Sequence, residues 1–237
     1  MAKAPVFTGF PEGTFRFLRG LARDNSKAWF DAHRGDYQAF YVDAARDFVA
    51  ALGPKLRRIS PTVAYDPRVN GSLFRINRDV RFSKDKTPYK NHMDIWFWHG
   101  GRRGWGSPGF FFRMFADRLI VGVGMHRFEK DQLETYRRAV VDERPGKALA
   151  KALDRVRSAG PYVIGAPTRK TVPRGFDPDH PRAALLLHDG LTAEHDGSID
   201  ASARTARFVD VCAGHFKAMW PVGAWLLDTV ASSRTSD

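Results

Sequence analysis

Cysteine is nearly absent: Cys212 is the single one among 237 residues. One thiol cannot close an internal disulfide, and it excludes a Cys-rich zinc or iron–sulfur site, which suits a reducing compartment. Long apolar runs are missing too. No stretch reaches about 18 uninterrupted apolar residues, and Met1 to Phe7 offers nothing that can serve as a signal peptide. The nearest approach, Phe216 to Val230, is broken by Lys217, Pro221 and Asp228 and reads as a buried C-terminal helix. The expectation is a cytoplasmic protein without a membrane partner. The chain also lacks a phosphate-binding Gly-x-x-x-x-Gly-Lys loop, a Gly-x-Ser-x-Gly elbow, a His-Glu-x-x-His pair, internal repeats and low-complexity blocks. Acid is scarce relative to base. The 26 Asp and Glu against 38 Lys and Arg leave a formal charge of +12, which attracts polyanions, acidic surfaces or phosphorylated metabolites.

What is present is 43% hydrophobic and 13% aromatic residues, enough for a sizeable core. From Pro11 to Leu21, Phe15, Leu18 and Leu21 recur at helical steps. Ser26 is placed to cap a second helix that begins Lys27-Ala28-Trp29-Phe30. The series Tyr37, Tyr41, Ala44, Phe48, Leu52 predicts a third helix that Gly53-Pro54 ends or kinks. The period then shortens. Ser72 to Asn77, Met93 to His99, Phe110 to Phe115 and Arg118 to Met125 are rich in aromatic or β-branched residues and predict strands. Their connections are too short for helical crossovers, so the sheet is expected to be antiparallel. Gly100, Gly101, Gly104 and Gly106 suit a flexible hairpin connection.

Beyond the sheet, Lys130 to Val141 and Lys147 to Ser158 read as helices separated by Pro145-Gly146. Residues 160–181 carry five prolines and read as a long ordered loop with a short strand at Tyr162 to Ile164. His188 to Asp200 has a net charge of −4 and reads either as an acidic patch facing the basic centre or as a solvated loop. The fold expected is a single α+β domain over 1–237. Its helices lie at about 11–59, its antiparallel sheet of four to six strands at about 72–126, and further helices and loops at about 129–232.

The basic residues are not spread evenly. Between Arg68 and Lys90 stand Arg68, Arg75, Arg78, Arg81, Lys84, Lys86 and Lys90 against only Asp79 and Asp85, a net of +5. Arginine offers a planar fork to carboxylate or phosphate and lysine a mobile point charge, so Arg75, Arg78, Arg81, Lys84, Lys86 and Lys90 are candidates to bind an anion. Ser83, Thr87 and Tyr89 add hydroxyls. Strand alternation puts Arg75 and Asn77 on one face and Arg78 on the other, so one ligand meets all of them only if the chain turns near Asp79. Three readings stay open: a pocket for a phosphate- or carboxylate-bearing small molecule, a nucleic-acid or acidic-partner surface, and an internal ion-pair network with Asp79 and Asp85.

The run Phe74-Arg-Ile-x-Arg-Asp-x-Arg-Phe-Ser-Lys-Asp-Lys-x-Pro-Tyr-Lys90 resembles the signature of a bacterial and fungal family of conserved proteins classed as a domain of unknown function. The likeness extends to Asn25-x-Lys27-x-Trp29-Phe30, Gly122-x-Gly124-Met125, Leu133-x-x-Tyr136-Arg137, Pro173-x-Gly175-Phe176, His180-Pro181 and Leu185-Leu186. Ser26 stands where the family often has Asn, an exchange that a helix cap survives. The resemblance implies one conserved fold over nearly the whole chain, and no established reaction or cofactor.

Gly122, Gly124 and His126 share a strand face, and two positions without side chains admit either another backbone or a ligand. His126 is thus a candidate acid or base, with Asp79 a second. The dipeptides His188-Asp189 and His195-Asp196 lack the spacing of a metal site, so no metal is expected. Trp96, Trp98, Trp105, Phe111 and Phe115 are candidates either to stack bases or to fill the core.

Overall fold

The structure, a computed structural model, describes residues 6–100 and 106–231. Gly101, Gly104 and Trp105 lie outside the described residues. The fold is α+β, with helices towards both chain ends and a five-stranded antiparallel sheet of order β1-β2-β3-β5-β4. Its strands are β1 (Met93–Phe97), β2 (Gly109–Met114), β3 (Arg118–Met125), β4 (Val163–Ile164) and β5 (Leu191–Ser198). The chain forms two compact units, one of residues 6–97, 111–121 and 196–214, the other of residues 98–100, 106–110, 122–195 and 215–231.

In the first unit, α1 (Glu12–Arg23) buries Phe15, Leu18 and Leu21, as their spacing requires. The Ser26 hydroxyl accepts from the Trp29 amide at 3.1 Å and caps α2 (Lys27–Ala32). After α3 (Arg34–Asp36) the helix widens into a π-helical stretch at Tyr37–Asp43. Within that stretch Phe40 O accepts a bond from the buried Thr14 hydroxyl at 2.5 Å. The helix continues as α4 (Ala44–Ile59) through Pro54 and does not end there. A mid-helix proline costs about 3 kcal/mol. Phe48, Val49, Leu52 and Leu56 are fully buried along the same helix, and at about 1.5–3 kcal/mol each they outweigh that cost. Phe10, Phe48, Phe112 and Phe208 form the centre of this unit, with rings 4.8–6.4 Å apart.

Ser72 to Asn77 does not form the regular strand that its composition suggests. It runs beside β1 through isolated pairings, Leu73 with Ile95 and Asn77 with Tyr89. The two pairings are out of register, because the chain from Tyr89 to Ile95 is two residues longer than that from Leu73 to Asn77, and this breaks the ladder.

In the second unit, α5 (Lys130–Val141) is closed at its start by reciprocal bonds between Glu129 and Gln132. Then α6 (Glu143–Ala159) starts four residues earlier than Pro145-Gly146 suggests, because Pro145 falls in the first turn, where amides have no helical partner anyway. The helix α7 (Phe208–Leu226) runs on into a π-helical stretch at Leu227–Ala231, and in this unit its Trp220 and Trp225 lie against Phe110 (4.8 Å) and Tyr136 (6.0 Å). The stretch His188 to Asp200 contains β5, which pairs antiparallel with β4 through Val163–Glu194 and Ile164–Ala193. Leu191 and Ala193 are buried while Thr192 and Glu194 are less so, a two-residue period hidden by the acidic composition. No helix among the described residues is long and apolar enough to cross a membrane.

Candidate functional site

The basic segment folds as a hairpin. Phe74 N donates to Asp94 O at 3.0 Å and Trp96 N to Ser72 O at 3.0 Å; nearer the tip, Lys90 N donates to Ile76 O and Arg78 N to Pro88 O, both at 2.9 Å. Residues 72–78 and 88–96 are therefore the arms, and 79–87 is the tip. One side chain fixes the base: the Asn25 carboxamide accepts from Tyr89 N at 2.9 Å and donates to Tyr89 O and Leu21 O, each at 3.1 Å. Tyr89 is buried, its ring stacked 4.2 Å from Phe30. Two separate parts of the signature, Asn25 to Phe30 and the Pro-Tyr-Lys end at Lys90, thus meet at one joint.

At the tip, Asp85 accepts from the Thr87 amide (2.9 Å), the Thr87 hydroxyl (2.9 Å) and Arg78 (2.6 Å). These bonds, from Thr87 first and Arg78 after it, pull its pKa down to about 2. Arg78 also donates to Thr87 O at 3.0 Å. Arg81 grips Asp79 through Nε (2.9 Å) and Nη2 (2.7 Å), and Lys86 donates to Val80 O at 3.0 Å. Both acids of the tip are thereby engaged. Arg75 and Lys84 are exposed and bond to no carboxylate among the described residues. The Arg81–Asp79 pair is open to water, where such pairs contribute ~0–1 kcal/mol and exchange partners readily. Between these cations Phe82 is 96% exposed, with the Arg81 guanidinium 5.8 Å from its ring centre.

Below the tip lies Asp94, only 3% exposed. It receives Lys90 at 2.9 Å, Arg113 at 2.7 and 3.2 Å, and His92 Nε2 at 3.3 Å. Burial works to raise its pKa and is outweighed by the bonds from His92 and Arg113 and the charge of Lys90, so the carboxyl lies well below the ordinary range. On β2 the alternation is clean: Phe110, Phe112 and Met114 are fully buried, whereas Phe111 and Arg113, with Phe115 just past the strand, are half-exposed. Lys90 sits 5.0 Å from the Phe74 ring, Arg113 5.2 Å from Phe111, and Arg118 5.8 Å from Phe115. Arg118 is also bonded to Asp196. Phe74, Phe82, Phe111 and Phe115 thus each carry a cation over the ring.

The candidate residues therefore divide. Arg75, Arg81, Lys84 and Lys86 are exposed on the hairpin, Arg78 is half-buried in the tip's own bonds, and Tyr89 and Lys90 are turned into its base. Asp79 is bonded to Arg81 and its pKa is lowered chiefly by that bond. Trp96 and Trp98 are buried, so among the described aromatics singled out for stacking only Phe111 and Phe115 retain exposure. Sequence reasoning passed over Asp94, Arg113 and Phe82. The available signals were an arginine alternating with phenylalanines on one strand, and a phenylalanine stranded between charges in a turn.

His126 lies elsewhere, in the second unit. A Cβ on Gly124 would fall 2.2 Å from Leu191 O and one on Gly122 3.2 Å from Ala193 O, so the close approach at these glycines is made by the backbone of β5. Gly124 also has φ +138°, which side chains rarely adopt. The His126 side chain is exposed at the rim of a cleft of about 490 Å³ formed with Arg127, Phe128, Glu129 and Lys130. His188 is buried, and burial lowers its pKa; Asp189 binds Arg137 at 3.1 Å and Arg169 at 2.7 Å. His195 stacks on His215 at 4.3 Å. Among the described residues no three His, Cys, Asp or Glu side chains are grouped so that they could hold a metal. Cys212 is fully buried, which pushes its pKa well up.

One family model, described as conserved hypothetical protein (DUF2461), matches residues 13–225. No curated protein matches the chain.

Proposed function

The chain belongs to the conserved hypothetical protein family DUF2461, and we propose that its basic hairpin binds single-stranded nucleic acid without catalysis. The observation that carries this reading is Phe82, 96% exposed at a hairpin tip between Arg81 and Lys84. A base offers a flat face to stack on this exposed ring while the neighbouring cations meet phosphate, the combination that single-strand binders use. The cations favour a strand over a compact ligand. Arg75, Arg81, Lys84 and Lys86 are distributed over an exposed finger, while Tyr89 and Lys90, which a cup would need, face inward. Phe111 and Phe115, half-exposed beside Arg113 and Arg118, extend the same chemistry onto β2. A cytoplasmic setting is consistent with such a partner and with a lone, buried thiol.

Fluorescence anisotropy of labelled oligo-dT and oligo-U of about 15 nucleotides tests it. Binding should weaken log-linearly between roughly 50 and 200 mM salt. Arg75→Ala with Lys84→Ala should flatten the slope by about 0.7 per lost phosphate contact, and Phe82→Ala should weaken binding by ~1–3 kcal/mol while leaving the slope unchanged. Absence of binding at low salt, or equal binding by all variants, would end the proposal.

A further inference from the structure

We propose a second, separate site: a cleft of about 310 Å³ beside α1 that takes a small phosphate- or carboxylate-bearing molecule. It is lined by Arg16, Arg19 and Arg23 of α1, by Trp29 of α2, and by His33 and Asp36. Arg16 and Arg23 are two turns apart on one stripe, about 10 Å along the axis, so the cleft has a cation towards each end.

Their charge is available. Arg19 is held by Glu12 at 2.6 Å, but neither Arg16 nor Arg23 bonds a carboxylate among the described residues. Arg16 rests over the Phe40 ring at 5.7 Å, a contact that positions the guanidinium without neutralising it. Asp24, the acid next to Arg23, is engaged by the Ser26 amide at 3.0 Å. Its pKa is lowered by Ser26 first and, beyond the opposing effect of burial, by the fields of both Arg23 and His33.

The wall between the arginines is formed by Gly20, Trp29 and His33. Gly20 lies between them on α1, and a Cβ there would come 2.2 Å from Trp29 Cζ2, so the missing side chain is what seats the indole against the helix. His33 stacks on that indole at 4.0 Å, its Nδ1 2.7 Å from Trp29 O. A carbonyl only accepts, so Nδ1 carries the hydrogen and Nε2 is the nitrogen left for a ligand. The Trp29 indole N–H likewise meets no acceptor among the described residues. Cations towards both ends, an indole donor, an imidazole nitrogen and the Asp36 carboxylate suit an oxyanion that also carries hydroxyl groups. The volume is at the small end of ligand pockets.

Isothermal titration of the full chain with ribose 5-phosphate and, separately, with citrate tests the site and distinguishes phosphate from carboxylate. One-site binding of either is expected. Arg16→Ala with Arg23→Ala should weaken it by about tenfold or more, since two charge-assisted contacts are lost. Both arginines are exposed, so the variant should retain the wild-type Tm. Trp29→Phe should weaken binding less and abolish the ligand-induced change in tryptophan emission. Arg75→Ala with Lys84→Ala should bind these probes as wild type does, which keeps the outcome independent of the nucleic-acid reading. No binding of either probe to wild type, or equal binding by the Arg16/Arg23 variant, overturns the proposal.

Discussion

Asn25 shows how much one side chain can settle. Its carboxamide serves the amide and carbonyl of Tyr89 and the last turn of α1 at Leu21, three bonds no other residue type of that size supplies. Asn25→Ala should therefore destabilise by about 2 kcal/mol in urea titration, since Tyr89 N and O lose their partner. Asp94 is the opposite case, a buried charge kept by its neighbours. Asp94→Asn should cost about 3 kcal/mol because Lys90 and Arg113 lose their carboxylate. Its pKa is depressed in the folded state, so its stabilisation is complete above the ordinary carboxylate value of about 3.9 and fades as pH falls below it. Denaturation midpoints followed from pH 6 downward should decline in wild type and stay flatter in Asp94→Asn. Asn25 was legible as part of a motif, but its partner 64 residues away was not, because nothing local specifies a contact of that span. Asp94 was illegible: an acid in an aromatic strand gives no sign of which cations will surround it.

Among elements, those with a strong period were readable and those with a mixed role were not. β3 and α5 occupy the residues their patterns indicate, Arg118–Met125 and Lys130–Val141. Proline does not end α4 at Pro54, where buried neighbours outweigh its cost, and does not hold α6 back at Pro145, where a first turn tolerates it. The hairpin was visible as a charge cluster, yet its division into bonded and free cations depends on which acid each arginine reaches. Two substitutions separate its roles. Phe82→Ala should change stability by less than about 0.5 kcal/mol, the side chain being almost wholly in water, even where it reduces binding. Gly20→Ala in α1, favourable by helix propensity alone, should instead lower the Tm, since its methyl would intrude on Trp29.

For the whole molecule, composition indicated the basic balance and the single thiol but not the two compact units. Both units draw on the same four elements, since β2, β3, β5 and α7 each contribute residues to both. We propose a single folding domain, and expect circular dichroism and tryptophan emission to report one coincident unfolding transition. Cys212, fully buried, should react with a thiol reagent only across that same transition. A finger anchored at its base and solvated at its tip also sets where the polypeptide can be cut. Arg81 and Lys84 present trypsin with exposed bonds, whereas the arms are joined by backbone pairing at Asn77 and Tyr89 and clasped by Asn25. Brief digestion should nick the chain there first and leave two pieces that migrate together until denaturant parts them.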